Sequence, residues 1–362
     1  MTANALRFLL LPFSWLYAGA VIIRNKFFDW GFLRSEKLGA PTISVGNLSV
    51  GGTGKTPLVA YVVRYLQRKG KRVAILSRGY KRKSVGFVLV SDGKRILADA
   101  AQSGDEPQEL AQHLPGVIVA VEENRARAGQ EILEKFSIDV FVLDDGFQHR
   151  WVKRDLDIVT MPIRLDEQSA WFGVPRPLLL PAGRLREPLW SLRRAQHIVF
   201  TRAKGLESNP KLFENLKDWY RQYSSADVSA VGFRARTLVR LSDWKEEEPV
   251  KFGAKKAFLF CGIENPDDFS RLATSSGFVV VERSTFPDHY RYRAQDILNL
   301  KNRFATCGAE FLLTTMKDAA RLSGTSEGRA FASELPVYAL AIDLQFIHGE
   351  QTFHQHLDRL FV

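Results

Sequence analysis

Short, nearly unbroken apolar runs alternate along this chain with stretches of helical spacing. Thr42–Val45 reads as a buried strand and Leu58–Leu66 has helical periodicity; Gly70 ends that pattern before Arg72–Ser77, the next strand. Phe87–Val90, closed by Asp92-Gly93, then Val117–Val121 and Ile138–Asp144 continue the series. Helices are predicted between them, one from Ser103 or Asp105 through His113 and one from Asn124 to Phe136. Leu156–Thr160 and His197–Thr201 form a further strand pair around a proline- and arginine-rich loop, Val174-Pro175-Arg176-Pro177 and Pro181 to Pro188, too long for a plain connection. After a helix over Asn209–Tyr223, the polar Ser224–Asp227 marks a boundary, and alternation from Ala230 to Leu241 predicts a strand pair or linker ribbon. Strands at Ala257–Gly262, Phe278–Val281 and Phe311–Thr315, with helices after Asn265-Pro266 and over Ala294–Phe304, restart the strand–helix pattern. Such alternation implies a parallel sheet covered on both faces. The expected organisation is an N-terminal apolar helix over 1–36, a core domain over 37–227, a linker ribbon over 228–254 and a smaller α/β domain over 255–362.

The first residues refine that picture. Phe8 to Ile23 is uncharged and bounded by Arg7 and Arg24, but it is interrupted by Pro12 and is shorter than the roughly 20 apolar residues a spanning helix needs. It suits a helix lying in a membrane face, with Arg24, Lys26, Arg34 and Lys37 beside anionic headgroups; the alternative is a hydrophobic helix packed in the core. Ala18-Gly19-Ala20 could mimic a signal-peptidase site, but a secreted protein with the glycine loop at Gly51–Gly54 would find no nucleotide outside the cell.

Composition adds less. The 362 residues suffice for two domains, and 45% hydrophobic with 25% charged content belongs to a folded, mostly soluble protein. A formal charge of +11 calls for an anionic partner without choosing among nucleic acid, lipid and phosphorylated substrate. Cys261 and Cys307 have no ligand-like spacing and read as thiols in a reducing compartment.

Between the first strand and the first core helix lies Ser49-Val50-Gly51-Gly52-Thr53-Gly54-Lys55-Thr56. Strand, glycine loop and helix are the context of a phosphate-binding loop: Gly51, Gly52 and Gly54 let backbone N–H groups face phosphate oxygens at a helix N-terminus. Lys55 is placed to reach the β- and γ-phosphates and Thr56 to ligate Mg²⁺. Ser49 stands where the general pattern has its first glycine. Asp144-Asp145 at the end of an apolar strand has the form of a carboxylate that reaches Mg²⁺ or its water. Asp288-His289 after a predicted strand offers a base with a pKa near working pH. Thr315-Met316-Lys317-Asp318 lacks the spacing of a guanine-recognition motif, which argues against a GTPase. The fold class expected is α/β, a P-loop parallel sheet sandwiched by helices, with a second smaller α/β domain and an N-terminal membrane-docking helix.

Taken together the residues resemble the tetraacyldisaccharide 4′-kinase (lipid A 4′-kinase) family of Gram-negative bacteria. The landmarks are Val45-Gly46-Asn47 leading into Gly51–Pro57, Ser77-Arg78-Gly79-Tyr80, Ser103–Pro107, Leu143–His149, Leu180–Glu187, Phe286–His289 and Thr315–Asp318, in order over nearly the whole chain. Ser49 belongs to that family's own loop. The resemblance implies ATP and Mg²⁺ as cofactors and phosphorylation of the 4′-hydroxyl of an acylated glucosamine disaccharide 1-phosphate in lipid A biosynthesis, at the cytoplasmic face of the bacterial inner membrane. It further implies that Asp105 and His289 deprotonate the hydroxyl, and that Asp144, Asp145 and Glu187 lie near Mg²⁺ or the base. Arg78, Tyr80, Arg184 and Arg186 are substrate-binding candidates. On the expected domain boundaries Asp105 and His289 come from different domains, so their meeting would require closure.

A competing class is a membrane-associated P-loop switch ATPase. Such proteins often carry a lysine just before the paired glycines, where this chain has Val50. No aromatic-interleaved basic motif points to nucleic acid, and no obligate protein partner is evident.

Overall fold

The computed structural model describes residues 3–166, 169–172 and 178–362; Val174–Pro177 of the proline- and arginine-rich loop lie outside the described residues. In chain order the elements are α1 (Ala3–Asp29), β1 (Thr42–Asn47), α2 (Lys55–Arg68), β2 (Val73–Ser77), β3 (Val88–Asp92), α3 (Ala100–Ser103), α4 (Asp105–His113), β4 (Ile118–Val121), α5 (Arg125–Leu133) and β5 (Val140–Asp144). They continue with β6 (Leu156–Asp166), β7 (Ser169–Phe172), β8 (His197–Thr201), α6 (Pro210–Arg221), β9 (Asp227–Arg240), β10 (Glu246–Glu247), β11 (Lys256–Cys261) and α7 (Pro266–Ser275). The last are β12 (Val279–Thr285), α8 (Ala294–Thr306), β13 (Phe311–Thr315), α9 (Met316–Ser323), α10 (Ser326–Glu334), β14 (Val337–His348) and α11 (Glu350–Asp358).

The chain divides into two compact units, and the division corrects the boundaries expected from sequence. The first comprises Met1–Arg78, Val117–Gly232 and Gln345–Val362; the second comprises Gly79–Gly116 and Phe233–Leu344. The segment carrying α3 and α4 therefore belongs with the C-terminal half, where α4 packs on α9, and the final helix α11 belongs with the N-terminal half. Strand–helix periodicity reports which residues are buried but not which core they join. The expected linker ribbon is instead strand β9, which forms a hairpin with β10 through Glu246 opposite Val239.

In the first unit the strand order is β4-β2-β5-β1-β6-β8-β9, all parallel. Strands β1, β2, β5 and β8 are buried along their whole length, which is why they read as unbroken apolar runs. Helix α2 packs on β1 and β5, and α5 on β2 and β4. Beneath α6, Phe213, Leu216 and Tyr220 meet Val159, Ile198 and Phe200 in one core.

In the second unit β12-β11-β13-β14 is again parallel. Alternate residues of β11 supply two cores: Phe258 and Phe260 face Ala319, Leu322 and Phe331, whereas Ala257, Leu259 and Cys261 pack with Phe269, Phe278 and Phe311. Two helical sides on one parallel sheet confirm the α/β class.

Helix α1 is amphipathic in an unusual sense, with one face docked and an apolar face in solvent. Ser14, Val21 and Phe28 are buried at spacings of seven, and Leu9, Phe13, Leu16, Ala20, Ile23 and Phe27 form an exposed stripe continued by Trp30 and Phe32. Polar contacts fix the docked side: Ser14 Oγ donates to Leu179 O (3.0 Å) and accepts from Ala182 N (2.9 Å), and Tyr17 OH donates to Arg186 O (2.9 Å). Among the described residues no helix is long and apolar enough to cross a membrane.

Candidate active site

In the first unit the glycine loop follows β1 directly. Gly46 lies so close to Phe147 that a Cβ there would meet the Phe147 Cβ at 2.5 Å, so only glycine allows the strand to leave in this direction. Gly51 (φ 108) and Gly54 (φ 82) turn the loop through left-handed conformations, and Gly54 opens α2 without a side-chain cap. The first N–H groups of α2 therefore keep their capacity for an anion.

The outer side of the loop is held by hydrogen bonds. Asn47 Nδ2 donates to Thr53 Oγ1 (2.9 Å), which also meets Thr160 Oγ1 (2.9 Å). Thr201 Oγ1 donates to Thr53 O and Arg202 Nη2 to Gly52 O, both at 2.8 Å. Val50 N donates to Arg184 O (2.8 Å), Arg184 Nη2 to Val50 O (3.1 Å), and buried Ser49 bridges Leu185. The carbonyls of Val50, Gly52 and Thr53 are thereby tied to neighbouring segments. Arg202 is held at φ 63, left-handed backbone that a non-glycine residue adopts only under constraint.

Lys55 Nζ lies 3.7 Å from Asp145 Oδ1, and Asp145 Oδ2 accepts from Arg186 Nη1 at 2.8 Å. Asp145 is itself left-handed (φ 53). Asp144, at the end of β5 and opposite Val45 of β1, is buried and accepts from Ser77 Oγ at 3.0 Å. Register therefore brings Lys55, Thr56, Asp144, Asp145 and Arg186 to the same end of the sheet. Thr56 is buried in the first turn of α2, and Arg78 and Arg184 are exposed. Arg125 Nη1 contacts His149 Nδ1 (3.1 Å); burial, with Arg125, Arg154 and Arg78 nearby, pushes that imidazole down to about 3 and keeps it neutral.

Glu187 is tied to α1 and to Arg194. Its carboxylate is buried, with Oε2 accepting from Asn25 Nδ2 and Arg194 Nη2 at 2.9 Å each and Oε1 paired with Arg24 Nη2 at 3.4 Å. Both oxygens anchor α1 and Arg194.

The second unit holds the other sequence-predicted pair. Asp105 is the first residue of α4, and His289 lies after β12 at φ 62 with its N–H donating to Gly262 O (3.2 Å). His289 Nδ1 and Asp105 Oδ2 are 3.0 Å apart, and Arg321 Nε donates to the same oxygen at 2.8 Å. Burial pulls the Asp105 carboxyl upward, but the hydrogen bond from His289 and the Arg321 charge outweigh it and hold it below its ordinary value. An ionised carboxylate only accepts, so Nδ1 carries the proton of this contact, which leaves Nε2 as the nitrogen that can accept. Tyr80, 62% exposed, sets its ring edge against the imidazole with centroids 5.8 Å apart. The expectation that Asp105 and His289 meet only on closure of two domains is thus overturned, since both belong to the second unit.

Thr315–Asp318 also finds its place: Thr315 caps α9, Lys317 Nζ pairs with Glu106 at 2.6 Å, and Asp318 lies buried against Gly262 and Arg321. Sequence reading passes over Asn47, Thr160, Thr201, Arg202 and Arg321 as participants. Thr160 and Thr201, polar residues closing apolar strands, were the one available signal.

The family model described as "Tetraacyldisaccharide-1-P 4'-kinase" matches residues 6–362. The chain belongs to the tetraacyldisaccharide-1-P 4′-kinase family. Tetraacyldisaccharide 4′-kinases of Geobacter metallireducens and Aquifex aeolicus are similar at 39% and 40% identity, over 87% and 88% of this chain and 88% and 91% of theirs. That of Chlorobium limicola is 36% identical over 99% of both chains. A crystal structure described as the "apo" form of LpxK from Aquifex aeolicus in complex with ATP matches with a TM-score of 0.76 and 37% identity, covering 99% of this chain and 100% of that one. As a member of this family the chain is a kinase that transfers phosphate to a hydroxyl group.

Proposed function

We propose that this chain transfers the γ-phosphoryl group of ATP to the 4′-hydroxyl of a tetraacylated glucosamine disaccharide 1-phosphate, working at the cytoplasmic face of the bacterial inner membrane. The Asp105–His289 pair carries this reading: a sugar hydroxyl is a poor nucleophile and needs a base. His289 Nε2 takes the hydroxyl proton, while Asp105 fixes the tautomer and balances the imidazolium that results. Ser49, Gly51, Gly52, Thr53 and Gly54 shape the loop around the donor's phosphates, and Lys55, released from Asp145, moves to their oxygens.

The residues fit Mg²⁺. Among the described residues no group of three or more His, Cys, Asp or Glu side chains forms a cage. The Thr56 hydroxyl and the Asp144 carboxylate suit a cation that takes its remaining ligands from phosphate and water. Bound there, the ion supplies charge neutralisation on the phosphate oxygens. Asp145 and Arg186 act as a pair beside it, and Arg78, Tyr80 and Arg184 remain contacts for the acceptor. The exposed stripe of α1 with Arg24, Lys26, Arg34 and Lys37 supports peripheral membrane attachment, which delivers a lipid acceptor.

The test is incubation of the protein with γ-labelled ATP and detergent-dispersed acceptor. Label in the disaccharide is expected. ATP hydrolysis that ignores the lipid and leaves it unlabelled would return the chain to the switch-ATPase class.

A further inference from the structure

Arg321 is the buried cation on which the Asp105–His289 pair is assembled. Its side chain is 4% exposed, and that of its ion-pair partner Asp318 is 0% exposed. Its shortest hydrogen bonds go in two directions, and Nη2 lies 3.5 Å from His289 Nδ1. Nε donates to Asp105 Oδ2 at 2.8 Å; Nη1 donates to Gly262 O and Asp318 Oδ1, also at 2.8 Å. Gly262 O is the same carbonyl that receives the His289 N–H at 3.2 Å. One planar group therefore ties the carboxylate partner of His289 to the backbone seat of His289.

That seat needs holding. His289 is left-handed at φ 62, and Gly262 is enclosed so tightly that a Cβ would lie 3.1 Å from Pro287 O and Tyr290 Cβ. Strained backbone of this kind persists only where its surroundings over-determine it. Asp318 completes the frame by accepting from Gly262 N (3.1 Å) and Tyr292 OH (3.0 Å). A lysine could supply the charge but not a fork that reaches Asp105, Gly262 and Asp318 at fixed angles.

We infer that Arg321 is a positioning residue for phosphoryl transfer, locking the Asp105 carboxylate and the Gly262 carbonyl into one geometry so that His289 Nε2 is held as the accepting nitrogen. The inference rests on His289 being the base. Arg321 does not contact Nε2; it acts through Asp105, through the backbone of His289 and through Nη2, which lies 3.5 Å from Nδ1 on the far side of the ring.

The experiment compares Arg321→Lys, Arg321→Gln and His289→Ala, reading kcat, ATP affinity, melting temperature and the pH dependence of kcat with the lipid acceptor. Misplacing a reacting group by about 1 Å costs about 100-fold, so both Arg321 variants should lose kcat on that order with unchanged ATP affinity. In Arg321→Gln a positive charge disappears beside both members of the pair, which makes protonating them easier. The acid limb of the profile should rise by on the order of one pH unit, reported for the coupled pair as a whole. Arg321→Lys should return the limb to its wild-type position without returning the rate. Wild-type kcat in both variants, or a loss that follows the melting temperature with the limb unmoved, would overturn the inference. Should Arg321→Gln not fold, Arg321→Lys decides: lowered kcat at the wild-type melting temperature supports the role, and wild-type kcat rejects it. If His289→Ala keeps the wild-type rate, the base assignment itself fails, whatever the Arg321 variants do.

Discussion

Asp105 Oδ2 and His289 Nδ1 lie 3.0 Å apart, although 184 positions separate them in the chain, because both are built into the same compact unit. The pair is formed without any rearrangement, and its chemistry follows from the carboxylate. Held ionised, Asp105 selects the Nδ1–H tautomer and leaves Nε2 to accept a proton. Asp105→Asn introduces an amide that can donate to Nδ1 and stabilise the wrong tautomer. Its kcat should fall by about 10²-fold or more. Steady-state kinetics with the lipid acceptor checks this, and a rate near wild type would detach Asp105 from the base.

Lys55 and Arg202 should fail differently from Asp105. Lys55→Ala removes the cation that Asp145 parks, and turnover should be abolished while circular dichroism shows a retained fold. Arg202→Ala removes the hydrogen bond to Gly52 O from a constrained residue. A charge-assisted hydrogen bond is worth about 1.5–3 kcal/mol, so ATP affinity should weaken by about ten- to a hundredfold with a smaller change in kcat. Isothermal titration with ATP separates the two; equal affinity in Arg202→Ala and wild type would show that the loop does not depend on this contact.

The exposed stripe of α1 predicts a loss of membrane partition without loss of fold. Leu16 is 73% exposed and Phe13 59%, so Leu16→Glu and Phe13→Glu change nothing inside the protein. Fully burying such a side chain is worth about 1.5–3 kcal/mol, and each variant should partition into anionic vesicles at least about tenfold more weakly. Sedimentation with vesicles measures it, and unchanged partition would mean that another protein surface covers the stripe.

His197 predicts acid sensitivity. It is fully buried against Ser229 and Phe353, and burial, helped by neighbouring His356, pushes its imidazole down to about 3. Below the ordinary histidine value near 6.5 the unfolded chain takes up a proton that the folded chain refuses. Stability contributed by this site is therefore complete at neutral pH and falls as pH drops from about 6.5 toward about 3, by up to about 1.4 kcal/mol per pH unit. Urea denaturation at pH 7 and pH 5 should show the loss, and His197→Asn should reduce it. Equal dependence in the two proteins would contradict the assignment.

Much of the first unit was legible because its chemistry is continuous in sequence. Strand, loop and helix from Thr42 to Arg68 are adjacent, and the carboxylates Asp144 and Asp145 close an apolar run. What stayed hidden depends on distant segments meeting. Periodicity cannot say that α4 packs on α9 or that β9 passes from one unit to the other, so Asp105 and His289 were expected to need a closing motion. The anchoring of Glu187 was hidden for a related reason: Arg24 and Asn25 stand 163 and 162 positions before it. Arg321 gives no local signal, because its partners stand at positions 105, 262 and 318.

The most direct test of the account divides binding from chemistry in one protein. His289→Ala should bind ATP with wild-type affinity, because the phosphate loop is intact, and should transfer phosphate to the lipid hydroxyl about 10²-fold or more slowly, because the base is gone. Single-turnover transfer measured beside equilibrium ATP binding gives both numbers. A wild-type transfer rate, or a loss of ATP affinity that accounts for the whole defect, would contradict it.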